Sequence, residues 1–377
     1  MKKFLTKTIL FFTPILLFLI FPFYILSVTK EVNFNLDEID FVKQKYLIGY
    51  KYEENNYKYL KLKETSKRGA EVLVLGSSRV LQFRDEMFQE SFYNAGFTIR
   101  GIDEFQKFLK LIPPKDLPKY LIIGLDQWMF NESWDNLEMN SFQKKQFIEN
   151  GSGSFTPKLN KLSMVYRDIL AKKITISSLS KNRKNYTPVG INAWVNETGF
   201  RNDGSMYYGK QIKNLIKNSP NSEDYNYADT FDRISEGSRR FQYGSKINNK
   251  AVEILNELLD YCHKNKINVI GILPPFADGV YNKMKESNNY NYIDKLFPEI
   301  EPIFDKYSFE LYNFNSMKDC NSNDNETIDG FHGGEKTYLK ILIKILENHS
   351  ILNNVCDLKR IKQNLNNSIN NYIVYSY

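Results

Sequence analysis

Three side chains of this sequence, Ser78, Asp329 and His332, have the types and spacing of a nucleophile with its base. Ser78 lies in Gly76-Ser77-Ser78-Arg79, directly after the apolar run 71–75. A serine on the turn after a parallel strand lies at the ligand edge of a sheet, where backbone N–H groups can stabilise an oxyanion. Asp329 can fix the tautomer of His332, which can then accept the serine proton. The alternatives are a serine that caps a helix, and a capping aspartate with an uninvolved histidine.

Two further turns follow predicted strands. They are Asn94-Ala95-Gly96 and Gly124-Leu125-Asp126-Gln127-Trp128. A glycine at either turn lets a backbone N–H approach a ligand closely. The alternative at both places is an ordinary turn that ends a strand.

The small numbers of histidines and cysteines limit the possible chemistry. They are His263, His332, His349, Cys262, Cys320 and Cys356. His263 and His349 lie at predicted helix ends, where a solvated or dipole-stabilising residue is common. No Cys-x-x-Cys pair is present, which excludes a disulfide scaffold and a cysteine zinc ribbon. The histidines and acids show no ligand spacing, so neither a metal nor an organic cofactor is expected.

Alternating strands and helices must position these residues. Apolar runs at 71–75, 91–94, 120–123, 268–273 and 310–314 are interspersed with helical patterns at 102–112, 249–265 and 335–348. This alternation predicts an α/β fold, a three-layer α/β/α arrangement with a central parallel sheet. Right-handed crossovers then bring the functional loops to the carboxyl ends of the strands.

The remaining segments fit this pattern less well. Residues 136–248 contain no convincing buried strand and are predicted to be an insertion that caps the sheet edge. Residues 31–68 are predicted to form a polar stalk with some helix, and 351–377 a peripheral tail. The main domain is thus expected to span 69–350.

Residues 1–30 are predicted to be a cytoplasmic flank and a transmembrane anchor. Residues 9–28 contain no charged side chain, and about 20 apolar residues span a bilayer as a helix. Lys2, Lys3 and Lys7 precede this span, so the positive-inside rule places the N-terminus in the cytoplasm and the main domain outside. The alternative is a long, cleaved signal peptide, which also predicts an extracytoplasmic domain.

Length and charge exclude some functions. With 377 residues, the chain is long enough for two domains or for one large domain with an insertion. The formal net charge is +7, but Lys2, Lys3, Lys7 and Lys30 carry part of it and the rest of the chain is +3. No basic stripe remains, so nucleic acid is not an expected partner.

Taken in order, the four turns resemble the SGNH (GDSL-like) hydrolase superfamily, whose conserved blocks run Ser, Gly, Asn and Asp-x-x-His. By this resemblance Ser78 is the nucleophile, Gly96 the oxyanion glycine, and Asp329 and His332 the base pair. The N–H of Ser78 would be another oxyanion donor. Two positions depart from the pattern. Ser77 replaces an Asp, and Asp126 replaces the oxyanion Asn, where Gln127 or Trp128 could act as donor instead.

The Gly-Ser-Ser-Arg turn and the N-terminal anchor look like one branch of that superfamily. It includes alginate-acetylation proteins and the D-alanyl transfer protein of teichoic acid operons, which work beside membrane-bound O-acyltransferases. The resemblance implies serine-dependent acyl transfer to an envelope or exported polysaccharide, with such an acyltransferase as partner. Arg79 would bind an anionic donor or glycan, or pair with a local acid. One alternative is an esterase or deacetylase with the same triad. Another is a non-catalytic glycan-binding subunit, and Asp126, in place of the oxyanion Asn, favours this second alternative.

Overall fold

The computed structural model describes residues 1–32, 39–41, 43–52, 55–134, 137, 159–179 and 185–377. The chain divides into two compact units. The first contains 1–56, 151–202 and 206–210, and the second contains 57–150, 203–205 and 211–377. All of the predicted site residues belong to the second unit.

The strands and helices are defined as follows. The strands are β1 Tyr46–Ile48, β2 Val72–Leu75, β3 Phe92–Asn94, β4 Tyr120–Gly124, β5 Thr187–Val189, β6 Thr198–Phe200, β7 Met206–Tyr208, β8 Asn268–Leu273 and β9 Glu310–Asn313. The helices are α1 Lys2–Val28, α2 Asn55–Arg68, α3 Glu104–Lys110, α4 Leu159–Leu170, α5 Ile176–Leu179, α6 Ile191–Val195, α7 Gly209–Ile216, α8 Ala228–Glu236, α9 Asn249–Lys264, α10 Asp278–Ser287, α11 Tyr292–Lys306, α12 Glu335–Glu347 and α13 Leu358–Asn366.

The second unit is built on a five-stranded sheet in the order β3-β2-β4-β8-β9, with all strands parallel. The chain moves outward from β2 to β3 and then in the other direction from β4 onward. The loops after β2 and β4 therefore diverge at a topological switch point, where open parallel sheets bind their ligands.

Helices cover both faces of this sheet because the strand residues alternate between two cores. Leu73 and Leu75 of β2 belong to one core, which includes residues of α3, α9 and α11. Val72 and Val74 belong to the other, which includes residues of α12 and α13. A strand buried on both faces needs the continuous apolar sequence that 72–75 provides. The predicted mixed α/β fold with a parallel sheet is confirmed.

The first unit has its own four-stranded sheet, in the order β5-β1-β6-β7. β1 is parallel to β5 and antiparallel to β6, which pairs with β7. Ile25 and Leu26, near the end of α1, pack with Val165 of α4 and Ile191 of α6 in a small core. The end of α1 is therefore part of this unit.

The predicted stalk at 31–68 is wrong. Its described residues up to 52 belong to the first unit and include the buried strand β1, whereas 57–68 form most of α2 in the second. Tyr57 and Leu60 of α2 are buried. β1 has only three residues and directly follows the polar residues Lys43, Gln44 and Lys45, so its apolar signal is weak.

The predicted insertion at 136–248 is not a single element. Apart from residue 137, its described residues begin at 159 and are divided between the two units, and β5, β6 and β7 lie within it. Residues 203–205 belong to the second unit, where the Asp203 carbonyl accepts the N–H of Asn94 at 2.9 Å.

The C-terminal residues 351–377 are not a peripheral tail. Leu352, Val355, Ile361 and Val374 are buried in the core that also contains α12. The Glu335 carboxylate of α12 accepts the N–H of Val374 at 3.0 Å and of Tyr375 at 3.2 Å. These buried apolar residues are widely spaced among many asparagines, so the sequence of this segment shows no clear apolar pattern.

Helix α1 contains the whole of the uncharged stretch 9–28, which is predicted to be the membrane anchor. Among the described residues, which leave out the side chains of 15–17 and 19 in this helix, no helix is both long and apolar enough to cross a membrane.

Two isoleucines of the C-terminal segment provide a matched test of its packing. Ile361 is 0% exposed and Ile369 is 58% exposed. We expect Ile361→Ala to lower the free energy of unfolding by about 2–5 kcal/mol, because it leaves a cavity in the core. Ile369→Ala should change it by less than about 0.5 kcal/mol. Denaturant unfolding of the full-length protein in mild detergent, followed by circular dichroism, measures both. Equal effects would contradict the packed arrangement.

Candidate active site

Ser78 lies at the start of a short 3-10 turn, Ser78–Val80, that follows β2. The preceding residue caps this turn, because the Ser77 hydroxyl accepts the N–H of Arg79 at 3.2 Å. Ser77 therefore caps the 3-10 turn, and the Ser78 hydroxyl remains available for another partner.

Ser78, His332 and Asp329 form a continuous hydrogen-bonded chain. The Nε2 atom of His332 is 2.8 Å from the Ser78 Oγ, and its Nδ1 is 2.7 Å from the Asp329 Oδ2. The other oxygen of Asp329 accepts the backbone N–H groups of Phe331 and His332, both at 2.9 Å. Ser78 and His332 are 254 positions apart in the sequence, and the folding of the parallel sheet brings them together.

The electrostatics favour an ionised Asp329. Burial raises the pKa of this carboxyl, but the charge and hydrogen bond of His332 and the two backbone N–H groups outweigh burial, so its pKa is below the ordinary value. An ionised carboxylate on Nδ1 holds the imidazole with Nε2 towards the serine, the orientation a general base needs. The His332 and Asp329 side chains are 15% and 19% exposed, so a substrate can approach them.

The loop that carries Asp329 and His332 is held by Asp224, which the sequence analysis missed. The Asp224 Oδ2 accepts the N–H of Gly330 at 3.1 Å and also the hydroxyl of Thr230. Asp224 has a left-handed backbone with φ of 53°. No local sequence signal could have identified a contact between residues 106 positions apart.

Asn94 and Gly96 are engaged with each other rather than with the site. Asn94 is completely buried, and its amide donates to the carbonyls of Val80 and Phe83 at 2.9 and 3.0 Å. Its Oδ1 accepts the N–H of Gly96 at 2.9 Å. The predicted oxyanion donor is thus already hydrogen-bonded, and Asn94 is a structural residue. Gly96 is needed because a Cβ there would lie 2.8 Å from the Asn94 Oδ1.

Arg79 does not face a substrate, because its side chain is buried. Its Nε donates to the Phe331 carbonyl at 3.0 Å, and its Nη2 to the Pro274 carbonyl at 2.6 Å. Its Nη1 donates to the Gln127 Oε1 at 2.8 Å and lies 3.5 Å from the Asp126 Oδ1. Arg79 thus pairs with a local acid, Asp126, as one of the two alternatives predicted. It also holds the loops that contain Gln127, Pro274 and Phe331.

Gln127 is also committed to this network. Its Nε2 donates to the Pro274 carbonyl at 2.9 Å and to the Asn315 Oδ1 at 3.0 Å. The structure therefore does not support the predicted role of Gln127 as an oxyanion donor. Its Nε2 connects the loop after β4 to the loops after β8 and β9, and its Oε1 accepts from Arg79 in the turn after β2.

Asp126 is buried with one carboxyl oxygen, Oδ2, that makes no hydrogen bond among the described residues. Burial raises the pKa of this carboxyl above the ordinary value, although Arg79 and the Ser77 hydroxyl oppose the shift. A protonated acid can donate a hydrogen bond, whereas a carboxylate would repel a developing oxyanion. The N–H of Ser78 has no acceptor in the described part of the chain, which leaves it available as an oxyanion donor.

Two other features could hold a ligand. A cavity of about 640 Å³ is lined by Asp329, by tyrosine, asparagine and other aspartate residues, including Tyr225, Tyr227 and Asp324, and by a few aliphatic residues such as Leu215. Separately, carboxyl oxygens of Asp85, Glu86 and Asp203 lie within 4.8 Å of one another, as metal ligands can. Arg84 pairs with Asp203 at 3.0 Å and with Glu86 at 2.8 Å, so two of the three carboxylates already have a cationic partner.

No protein-family model, curated protein or solved structure matches this chain. The function must therefore be inferred from the geometry of the site.

Substitution of Arg79 tests how far its buried guanidinium stabilises the fold. We expect Arg79→Ala to lower the free energy of unfolding by about 3–5 kcal/mol, because several buried acceptors and Asp126 would lose their partner. Arg239→Ala is the control, since that side chain is 60% exposed and pairs with Asp229 on the surface. It should change stability by less than about 0.5 kcal/mol. Denaturant unfolding measures both, and similar values for the two variants would refute the assignment.

Asp329 should make a pH-dependent contribution to stability. Its folded pKa lies below the ordinary value, so the stabilisation is complete above about pH 5 and is lost as the pH falls through the folded pKa. We expect Asp329→Asn to destabilise the protein at pH 7 and to have a smaller effect near pH 3. Unfolding of both proteins at the two pH values measures this difference. A destabilisation that grows in acid would show that the sign is wrong.

Proposed function

We propose that this protein is a serine-dependent acyl transferase of the SGNH type. The observation that carries the proposal is the hydrogen-bonded chain from Ser78 through His332 to Asp329. The position of Ser78 after β2, at the switch point of a parallel sheet, also supports it.

The reaction has two halves. In the first, the Ser78 Oγ attacks the carbonyl carbon of an acyl donor while His332 Nε2 takes the hydroxyl proton. The tetrahedral intermediate collapses, the donor alcohol leaves with the proton from His332, and an acyl-serine remains. In the second, an acceptor hydroxyl loses its proton to His332 and attacks the acyl-serine. Collapse of that intermediate returns the proton to Ser78 and releases the new ester.

The acceptor we propose is a sugar hydroxyl of an envelope or exported polysaccharide, and the acyl group is acetyl. The cavity beside Asp329 supports such an acceptor. Its described lining contains three tyrosines, several asparagines and three aspartates, but no lysine or arginine. Amides and phenols suit sugar hydroxyls, aromatic rings suit the apolar faces of sugars, and the acidic lining disfavours an anion.

We also propose that α1 anchors the protein, with its N-terminus in the cytoplasm and the triad outside. The uncharged stretch 9–28 and the lysines before it support this orientation. A membrane-bound O-acyltransferase is the proposed partner that supplies acyl groups across the membrane. An esterase or deacetylase would use the same triad, with water replacing the acceptor hydroxyl.

A second candidate is a non-catalytic glycan-binding subunit. Two observations favour it: Asp126 replaces the expected oxyanion amide, and the N–H of Gly96 is occupied by Asn94. Loss of a single oxyanion donor typically lowers the rate by about 10²–10³. The two candidates differ in whether Ser78 is needed for chemistry.

An aryl acetate assay with the full-length protein in mild detergent distinguishes these candidates. We expect the wild type to release acetate, and Ser78→Ala to lower kcat by at least about a thousandfold, since the nucleophile is lost. Ser235→Ala is the control, because this exposed serine lies on α8 and donates only to the Phe231 carbonyl among the described residues. It should retain wild-type activity. Equal rates for wild type and Ser78→Ala, with both proteins folded by circular dichroism, would exclude the serine mechanism. Addition of oligosaccharides then separates transfer from hydrolysis.

A further inference from the structure

Arg79 is buried, and a second arginine, Arg240, lies near the loop that carries the catalytic histidine. The guanidinium of Arg79 has its donors directed at buried acceptors and cannot reach a ligand. Arg240 is only partly buried. It lies within 136–248, the predicted insertion.

The neighbouring Phe241 holds Arg240 next to the catalytic loop. Phe241 is 1% exposed, and its ring lies 6.0 Å from the ring of Phe331. Phe331 directly precedes His332, and their rings are 4.4 Å apart. The buried hydroxyl of Tyr290 donates to the Phe241 carbonyl at 2.8 Å, which secures the segment from the other side.

The guanidinium of Arg240 makes no hydrogen bond or ion pair with any described residue. Its Cζ lies 5.3 Å from the ring centroid of Trp128, and that of Arg79 lies 5.2 Å from the same ring. The adjacent Arg239, by contrast, pairs with Asp229. A planar guanidinium packed on an aromatic ring keeps its N–H edge free for a carboxylate or phosphate.

The charges around Arg240 are of both signs. Burial lowers the pKa of Arg240, Asp126 and Asp329 raise it, and the positive charges of Arg100 and Arg233 lower it. A partly buried guanidinium has lost part of its hydration, and a bound anionic group would replace it. The backbone of Arg240 has a φ of 80°, an unfavourable value for this residue type that occurs most often at functional sites.

We propose that Arg240 binds an anionic oxygen group, a carboxylate or a phosphate, of the substrate whose acyl group reacts with Ser78. This inference rests on the proposed function. Together with the acidic cavity beside Asp329, it assigns the anionic group and the neutral sugar to different parts of the site.

Three acetyl esters of similar shape test the proposal: 4-acetoxybenzamide, 4-acetoxybenzoate and 4-acetoxyphenyl phosphate. With the full-length wild type, we expect kcat/KM to be about tenfold higher for at least one anionic ester than for the neutral amide, as one charge-assisted contact predicts. Arg240→Gln should abolish this preference and Arg240→Lys should retain most of it. Arg239→Gln is the matched control and should leave the preference unchanged. The two anions distinguish a carboxylate site from a phosphate site.

A binding measurement separates this proposal from the proposed function. In the Ser78→Ala background no turnover occurs, and calorimetry gives the Kd of each anionic ester directly. Arg240→Gln in that background should weaken binding of the preferred anion about tenfold. This comparison of Kd values shows whether Arg240 binds the anion even if the wild type hydrolyses none of the esters. Equal Kd values with and without Arg240, or an anion preference that survives Arg240→Gln, would overturn the inference.

Discussion

The geometry of the site depends on the burial of one guanidinium. Removing Arg79 from water is costly, and only a full set of acceptors can compensate for it. These acceptors come from the loops after β4 and β8 and from the carbonyl of Phe331, next to His332. Arg79 itself follows Ser78. Satisfying one side chain therefore fixes the loop of the nucleophile relative to the loop of its base.

This scaffold uses several groups that would otherwise serve a substrate. Gln127 spans two loops, and Asn94 ties Gly96 to the turn after Ser78. Of the groups whose contacts are described above, the N–H of Ser78 remains available as an oxyanion donor, and Asp126 can donate a hydrogen bond when it is protonated. A low dielectric strengthens each remaining donor, but it also makes an ionised Asp126 more unfavourable to a developing oxyanion. The protonation state of Asp126 is thus the main electrostatic variable of the proposed mechanism.

The sequence was informative where the signal was local. Continuous apolar runs that end at a glycine or at prolines identified β2, β4 and β8, and the turns after β2 and β4 contain Ser78 and Asp126. The Asp-x-x-His spacing identified Asp329 and His332 together. Short strands such as β1 carry too few residues for a periodic signal. The contacts of Arg79, Asp224 and Phe241 connect distant parts of the chain, so only the folded structure could reveal them.

The charges around the triad impose different requirements on the two halves of a substrate. Asp329 lines an amide-rich and acidic cavity, which disfavours an anion there. Arg240, which has no hydrogen-bonded or ion-paired partner in the described part of the chain, lies near the loop of His332. A simple neutral ester needs neither feature. An anionic acyl donor combined with a neutral sugar acceptor would use both features, which is the combination that the proposed acyl transfer requires.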